Sequence, residues 1–223
     1  MPSAVAEGVL AGHGRAMRFA EMVVLFVVAP TVIALVMPGR LVFPAIWLLC
    51  AVCLAVLLPD TTFDRGELFR ARGIAGCWRT ILVRAAVIAA ALTVLLWLVG
   101  PEMLFRLPRE RPARWAFIMA AYPVLSVYPQ EVAFRCFFRH RYRALFVNPS
   151  VHFGVNAVAF GFAHVIMHNW IAIVFSAVGG VLLAHTYDRT RSVFAVFVEH
   201  AAYGCALFTI GWGSWFYFGL AGR

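Results

Sequence analysis

The sequence predicts an all-α fold, a polytopic transmembrane helix bundle with about 7–8 membrane helices. Three observations carry that expectation. Of the 223 residues, 63% are hydrophobic and only 13% are charged, about half the charged share of an ordinary soluble domain. Mean hydropathy is +0.86, which is more apolar surface than a soluble domain of this length can bury, and disorder is excluded on the same ground. The apolar residues fall into runs of about 20, the length at which a helix crosses a bilayer core.

In chain order, residues 1–18 hold Glu7, His13, Arg15 and Arg18 without an apolar core, so no cleavable signal peptide is expected. Residues 19–37 form the first span, with Glu21 near its start, and Pro38-Gly39-Arg40 is a tight turn. Residues 41–58 form the second span. Its Cys50 and Cys53 make a CxxC, but Cys77, Cys136 and Cys205 supply no second pair for a zinc ribbon, and the cysteines read as small membrane-helix residues. Residues 59–79 are the longest polar loop. The third span, 80–99, carries Arg84 one turn inside, where it is expected to snorkel. Residues 100–114 alternate apolar and basic side chains around Pro101, Pro108 and Pro112 and are expected to lie at the interface.

The fourth span, 115–138, is apolar in its first half and carries Gln130, Glu131 and Arg135 in its second; Pro123 and Pro129 are expected to kink it. The fifth span, 151–167, holds His152, Asn156 and His164. A turn at Asn169-Trp170 leads to the sixth, 171–187, where Gly179-Gly180 permits close helix contact. The seventh, 193–210, carries Glu199 and His200, and the aromatic tail 212–220 is too short to span. There is no internal repeat, and the whole of 1–223 reads as a single integral-membrane domain.

Net charge is +9, and all 19 basic residues are arginine. They lie between apolar runs, the pattern that orients membrane proteins, so nucleic acid is not an expected partner and the lipid bilayer is. With the N-terminus in the cytoplasm, the inner side holds Arg15, Arg18, Arg65, Arg70, Arg72, Arg79, Arg139, Arg141, Arg143, Arg189 and Arg191. The outer side then holds Arg40, Arg106, Arg109, Arg111, Arg114 and Arg223. This balance predicts a cytoplasmic N-terminus and a cytoplasmic loop 59–79; the basic stretch 106–114 runs against it.

An ionisable group inside a membrane helix costs on the order of 3 kcal/mol, and is kept when it is paired, lines a cavity or does chemistry. Such groups concentrate in the second half: Glu131, Arg135, His164, His168, Glu199 and His200. Glu131 and Arg135, four apart, share a helix face, so Arg135 can hold and aim the carboxylate; a purely structural ion pair is the competing reading. His164 alone is more often a hydrogen-bonded core histidine than a catalytic one. His164 and His168 form HxxxH, which suits a metal only weakly, and HExxH is absent. Glu199 and His200 point about 100° apart on their helix. Gly161, Gly179, Gly180 and Gly204 read as close-packing positions. Taken together, a carboxylate and histidines from three helices can converge inside a bundle and activate water against an amide.

These residues resemble the motifs of the CPBP family, the CAAX protease and bacteriocin-processing (Abi-type) intramembrane endopeptidases. The first motif, Glu-Glu-x-x-x-Arg, is here Gln130-Glu131-Val132-Ala133-Phe134-Arg135. The second, Phe-x-x-x-His, is Phe160-Gly161-Phe162-Ala163-His164, and the third begins at His200 and ends four residues on at Gly204. The resemblance covers about 115–215 as a catalytic core. It implies a water-accessible cavity and peptide-bond hydrolysis by a glutamate-activated water. It also implies a membrane-embedded or lipid-anchored peptide substrate, residence in a bacterial inner (plasma) membrane, and no required cofactor. Two positions depart from the pattern: Gln130 stands where the family has its first glutamate, and Gly204 where it has a polar residue. Carried over with those departures, the catalytic set is Glu131 as base with His164, His200 and Arg135. Gln130, Asn156, Asn169 and Phe160 support it, Asn156 or Asn169 standing in for the missing amide. The competing readings are a non-catalytic membrane scaffold or bacteriocin-immunity protein of the same fold, a metal-dependent hydrolase holding zinc with Glu131, His164, His168 and His200, and, more weakly, a transporter.

Overall fold

The computed structural model describes residues 4–216, with side-chain surroundings from residue 14 onward. The side chains of Glu7 and His13, the tail beyond residue 216 and Arg223 lie outside the described residues. Among the described residues every regular element is helical. Six helices among the described residues are long and apolar enough to cross a membrane: α1 (Gly14–Val36), α2 (Gly39–Leu57), α3 (Trp78–Val99), α5 (Pro149–Met167), α6 (Trp170–Thr190) and α7 (Val193–Ile210). Between α3 and α5 lies α4 (residues 112–142), helical throughout but interrupted by polar residues. The expected all-α polytopic bundle is what the chain forms.

The helix starts follow from short polar caps. Asn148, Asn169 and Ser192 each accept a backbone N–H of the following turn, at 2.8, 2.8 and 3.0 Å, satisfying donors that otherwise face the membrane bare. The prolines of α4 do not break it. The chain widens instead into π turns at Pro123–Val127 and Val132–Phe137, with the Tyr128 N–H reaching Pro123 O and the Phe138 N–H reaching Ala133 O, five residues back. A π turn absorbs the missing proline donor by adding a residue to the turn, which rotates everything beyond it.

The core forms around the second half of α4, where Val132 to Phe138 are all buried. Phe26 of α1 meets the Phe134 and Phe138 rings edge-on at 5.0 and 5.1 Å. Cys50, Cys53 and Leu57 of α2, Leu183 and Tyr187 of α6, and Val193 and Val196 of α7 complete the same cluster. The cysteines are free, and Cys50, Cys53 and Cys136 are buried as packing residues. α5 and α6 approach closely at Gly161, where a Cβ would fall 2.6 Å from the Ala177 Cβ, and at Gly180, 3.1 Å from Ala157 O. Gly179 faces open space, so the expected contact role belongs to its neighbour alone.

Cross-helix bonds gather the arginine-bearing segments at one end. Arg15 donates to Leu145 O at 3.2 Å, Arg141 pairs with Glu21 at 2.8 Å, and His140 meets Asp60 at 2.8 Å. Arg139 pairs with Asp188, and Arg70 donates to Arg191 O at 3.0 Å. The start of α1, the polar loop 58–77, the end of α4 and the α6–α7 turn thus share one end of the bundle. The 106–110 helix sits at the other, where the Phe105 N–H donates to Ile210 O at 2.7 Å. Arg84 corrects an expectation. It does not snorkel outward but turns inward to Glu199 (3.1 Å), Thr186 (3.2 Å) and His185 (3.2 Å), because Glu199 is fully buried and would otherwise hold an uncompensated charge.

Candidate active site

α4, α5 and α7 bring the costly polar residues together. Glu131 is fully buried. Its Oε2 accepts from Arg135 Nε at 3.1 Å, and its Oε1 accepts from His200 Nδ1 at 2.7 Å. Arg135 Nη1 donates to Asn156 Oδ1 at 2.5 Å, and Asn156 Nδ2 donates to Phe134 O at 2.5 Å. The guanidinium lies 4.7 Å above the Phe160 ring, a cation–π contact beside its Nη2, which is buried without a hydrogen-bond acceptor among the described residues. Phe160 also meets His164 and His200 edge-on at 5.2 and 5.5 Å. One aromatic ring therefore spaces the arginine and both histidines.

The partners assign the tautomers. The Glu131 carboxylate can only accept, so His200 carries its proton on Nδ1 and presents a lone pair at Nε2. That atom lies 3.2 Å from the Tyr122 hydroxyl, which therefore donates to it and turns its own oxygen lone pairs outward. His164 Nδ1 donates to Phe160 O at 2.9 Å, leaving its Nε2 as an acceptor.

Above this group lies a cavity of about 690 Å³, lined mostly by apolar side chains of α1, α2, α4, α5 and α7. Its polar lining is sparse: Arg40, Tyr122, Ser126, Gln130 and His164. Gln130 donates to Ser126 Oγ at 2.8 Å. Neighbouring positions on α4 thus have different fates. Gln130 lines the cavity, whereas both oxygens of Glu131 are occupied behind the wall.

Among the sequence-predicted residues, Glu131, Arg135, His200, Asn156 and Phe160 meet in one hydrogen-bonded and stacked cluster, and Gln130 and His164 line the adjoining cavity. Neither Asn156 nor Asn169 faces that cavity. Asn156 serves Arg135, and Asn169 caps α6 while donating to Met167 O and Trp215 O at 3.0 and 2.8 Å. His168 does not share a face with His164. A 3₁₀ turn separates them, and His168 is exposed in a left-handed conformation with φ 55°. Among the described residues no three His, Cys, Asp or Glu side chains are gathered as a metal site.

Sequence reasoning missed Tyr122. The available signal was Gly204. A Cβ at that glycine would stand 2.2 Å from the Tyr122 hydroxyl, so the absence of a side chain at 204 is what lets the phenol reach His200.

Comparison with known proteins identifies one family. Residues 112–206 match the family model described as Type II CAAX prenyl endopeptidase Rce1-like. The segment contains α4 to most of α7, with every motif residue named above. The match supports the CPBP/CAAX protease family for this chain, and with the six apolar helices it supports a multi-pass integral membrane protein. The search of curated proteins gave no match, and neither did the search of solved structures.

Proposed function

We propose, taking that family placement as the premise, that the chain is an intramembrane peptidase whose base is the Glu131–His200 pair, acting into the cavity through Tyr122. The observation that carries this is the unbroken chain Glu131–His200–Tyr122 ending at a cavity wall. Glu131 acts behind His200 rather than on water itself, because it is fully buried with its oxygens turned to Arg135 and His200.

In this reading a peptide enters the cavity with its carbonyl beside Gln130, whose second amide N–H is a donor for the developing oxyanion. The His164 Nε2 lone pair orients a water. As the water oxygen bonds to the carbonyl carbon, one of its protons passes to the Tyr122 oxygen while the Tyr122 proton passes to His200 Nε2. The imidazolium formed is held by Glu131. When the C–N bond breaks, the same proton path runs backward and the departing amine takes a proton. The chemistry needs no metal. The substrate is a membrane-embedded or lipid-anchored peptide, which the apolar lining suits.

The test is cleavage of a lipid-anchored peptide panel by the protein in reconstituted vesicles. Glu131→Gln and His200→Ala should each lower the rate by about 10²-fold or more, with insertion unchanged and chelation without effect. Equal cleavage by wild type and Glu131→Gln rejects the pair as base. Loss on chelation with rescue by zinc favours the metal-dependent alternative.

One observation favours a second reading. The position that faces the cavity from the first motif carries an amide, Gln130, held by Ser126. If wild type binds panel peptides but hydrolyses none, the fold serves as a non-catalytic peptide-binding scaffold.

A further inference from the structure

We infer that a second cavity of the molecule is a binding site for the head of an anionic glycerophospholipid, its phosphate held by Arg106, Arg111 and Arg114. The inference goes beyond the peptidase reading and does not rest on it.

This cavity, about 330 Å³, lies where the short helix Arg106–Glu110 meets the start of α4 and the end of α7. Phe105, left-handed at φ 53°, turns that helix back over α7, and its N–H closes on Ile210 O at 2.7 Å. The lining has two characters. Arg106, Arg111 and Arg114 stand against a single carboxylate, Glu110, whereas Leu107 and Phe208 belong to an apolar wall. Glu110 accepts from Arg106 Nε at 3.0 Å, and the lining still keeps two positive charges in excess. The Arg106 side chain is 62% exposed, and Arg111 and Arg114 are exposed as well, so a ligand can reach them. α3 ends at Val99 and α7 at Ile210, which puts the cavity at the ends of spans, the level of a bilayer's headgroups. Trp97 in the last turn of α3 and Trp115 in the first turn of α4 stand at that level, as tryptophans do at membrane–water interfaces. A guanidinium grips phosphate oxygens with paired N–H groups. A small free anion would use only the arginines, and an apolar chain only the wall. An anionic lipid uses both. The stretch 106–114 also runs against the arginine balance of the chain, so orienting the protein does not account for its charge. Ile118 and Phe208 line both cavities, but Tyr122, Gln130 and His164 line the central one alone.

The test is native mass spectrometry of the full chain in detergent, titrated with phosphatidylglycerol, phosphatidylcholine and inorganic phosphate. Wild type should hold one phosphatidylglycerol more tightly than phosphatidylcholine, and excess inorganic phosphate should not displace it. Each arginine beside an anionic headgroup is worth about fivefold in affinity. Arg106→Gln/Arg111→Gln/Arg114→Gln should therefore weaken phosphatidylglycerol binding about 10²-fold. Arg72→Gln/Arg79→Gln/Arg189→Gln, which removes as much charge from exposed positions at the other end, should leave it nearly unchanged. Arg111→Gln alone should give the fivefold step with an unchanged melting temperature, and it reads the site should the triple variant not fold. Equal binding of the two lipids, equal loss in both triple variants, or no loss in Arg111→Gln overturns the inference. Displacement by inorganic phosphate does so too, because the site is then one for a free anion.

Discussion

At the scale of single residues the site turns on which of two neighbours faces the cavity. Gln130 lines it and Glu131 backs it, so substitution has unequal consequences at the two positions. Gln130→Ala should slow cleavage less than Glu131→Gln does, since it removes a donor rather than the support of the base; the comparison is of initial rates on one peptide. Arg135→Ala removes the buried guanidinium that neutralises Glu131, and breaking a buried pair from one side costs about 3–5 kcal/mol. A thermal melt should show that loss, and Arg135→Ala/Glu131→Gln should recover part of it. Tyr122 and Gly204 are coupled by space. Gly204→Ala should displace the phenol and slow cleavage about as much as Tyr122→Phe, and the double variant should be no slower than either, a non-additivity expected when both act on one contact. Additive losses would mean that Gly204 acts elsewhere.

The residue scale is also where the sequence was most and least legible. That Glu131, Arg135, His164 and His200 belong near one another followed from their insertion cost, since buried charges require partners. Which side of α4 each occupies did not follow, because the two π turns add residues to the helix and shift the register that a 3.6-residue period assumes. Tyr122 was hidden because a tyrosine in an apolar span has many ordinary uses, and only the partner glycine 82 positions away makes its hydroxyl special. Asn169 was open to a better reading: an asparagine directly before an apolar helix is a cap signal.

At the scale of elements, the α5–α6 contact depends on a missing side chain. Gly161→Val would force its Cβ into Ala177, whose backbone Cα lies 2.9 Å from that point and cannot rotate away. Overpacking of this kind costs about 1–3 kcal/mol. It should lower the melting temperature and, because Phe160 precedes Gly161, disturb the spacing of His164 and His200. Gly179→Val, next to open space, is the control and should do neither. The polar loop makes a different prediction. The Thr62 hydroxyl, then His140 and the Thr62 N–H, hold the Asp60 carboxyl below the usual carboxylate range. A depressed value in the folded state means the contribution is present above the ordinary carboxylate pKa and fades as pH falls through the folded value. The melting difference between wild type and Asp60→Asn should therefore be full at pH 7 and shrink as the solution is acidified below about pH 4. A difference that grew on acidification would contradict the assignment.

For the molecule as a whole, hydropathy and the arginine distribution gave the bundle, its single-domain reading and the separation of its two ends. Cross-helix bonds such as Arg139–Asp188 agree with that separation. Neither source alone contained the cavity, because a cavity is the space that helices leave, set by their tilts and by where small residues let them close. The second buried ion cluster, Arg84 with Glu199 and Tyr203, was visible only as Arg84 and Glu199, two costly residues in separate spans.

The α1–α2 hairpin has a mechanical consequence. Its root is anchored by Glu21 to Arg141 and Tyr142, and by Asp60 to His140. Toward its tip, near residues 37–41, no ion pair is formed among the described residues; apolar contacts and the Trp47 indole N–H on Leu125 O, 3.2 Å, are what hold it. A beam fixed at one end deflects most at the other. The hairpin is thus a cantilever clamped by charge at its root and held toward its tip by apolar packing, Ala29–Val36 lying against His164–Met167, so thermal bending is taken up at the tip while Glu131 and His200 near its foot stay in place. Amide exchange in lipid nanodiscs should accordingly quicken along α1 from Glu21 toward Val36, and a crosslink from the tip to Met167 should slow it there while leaving the pair below intact.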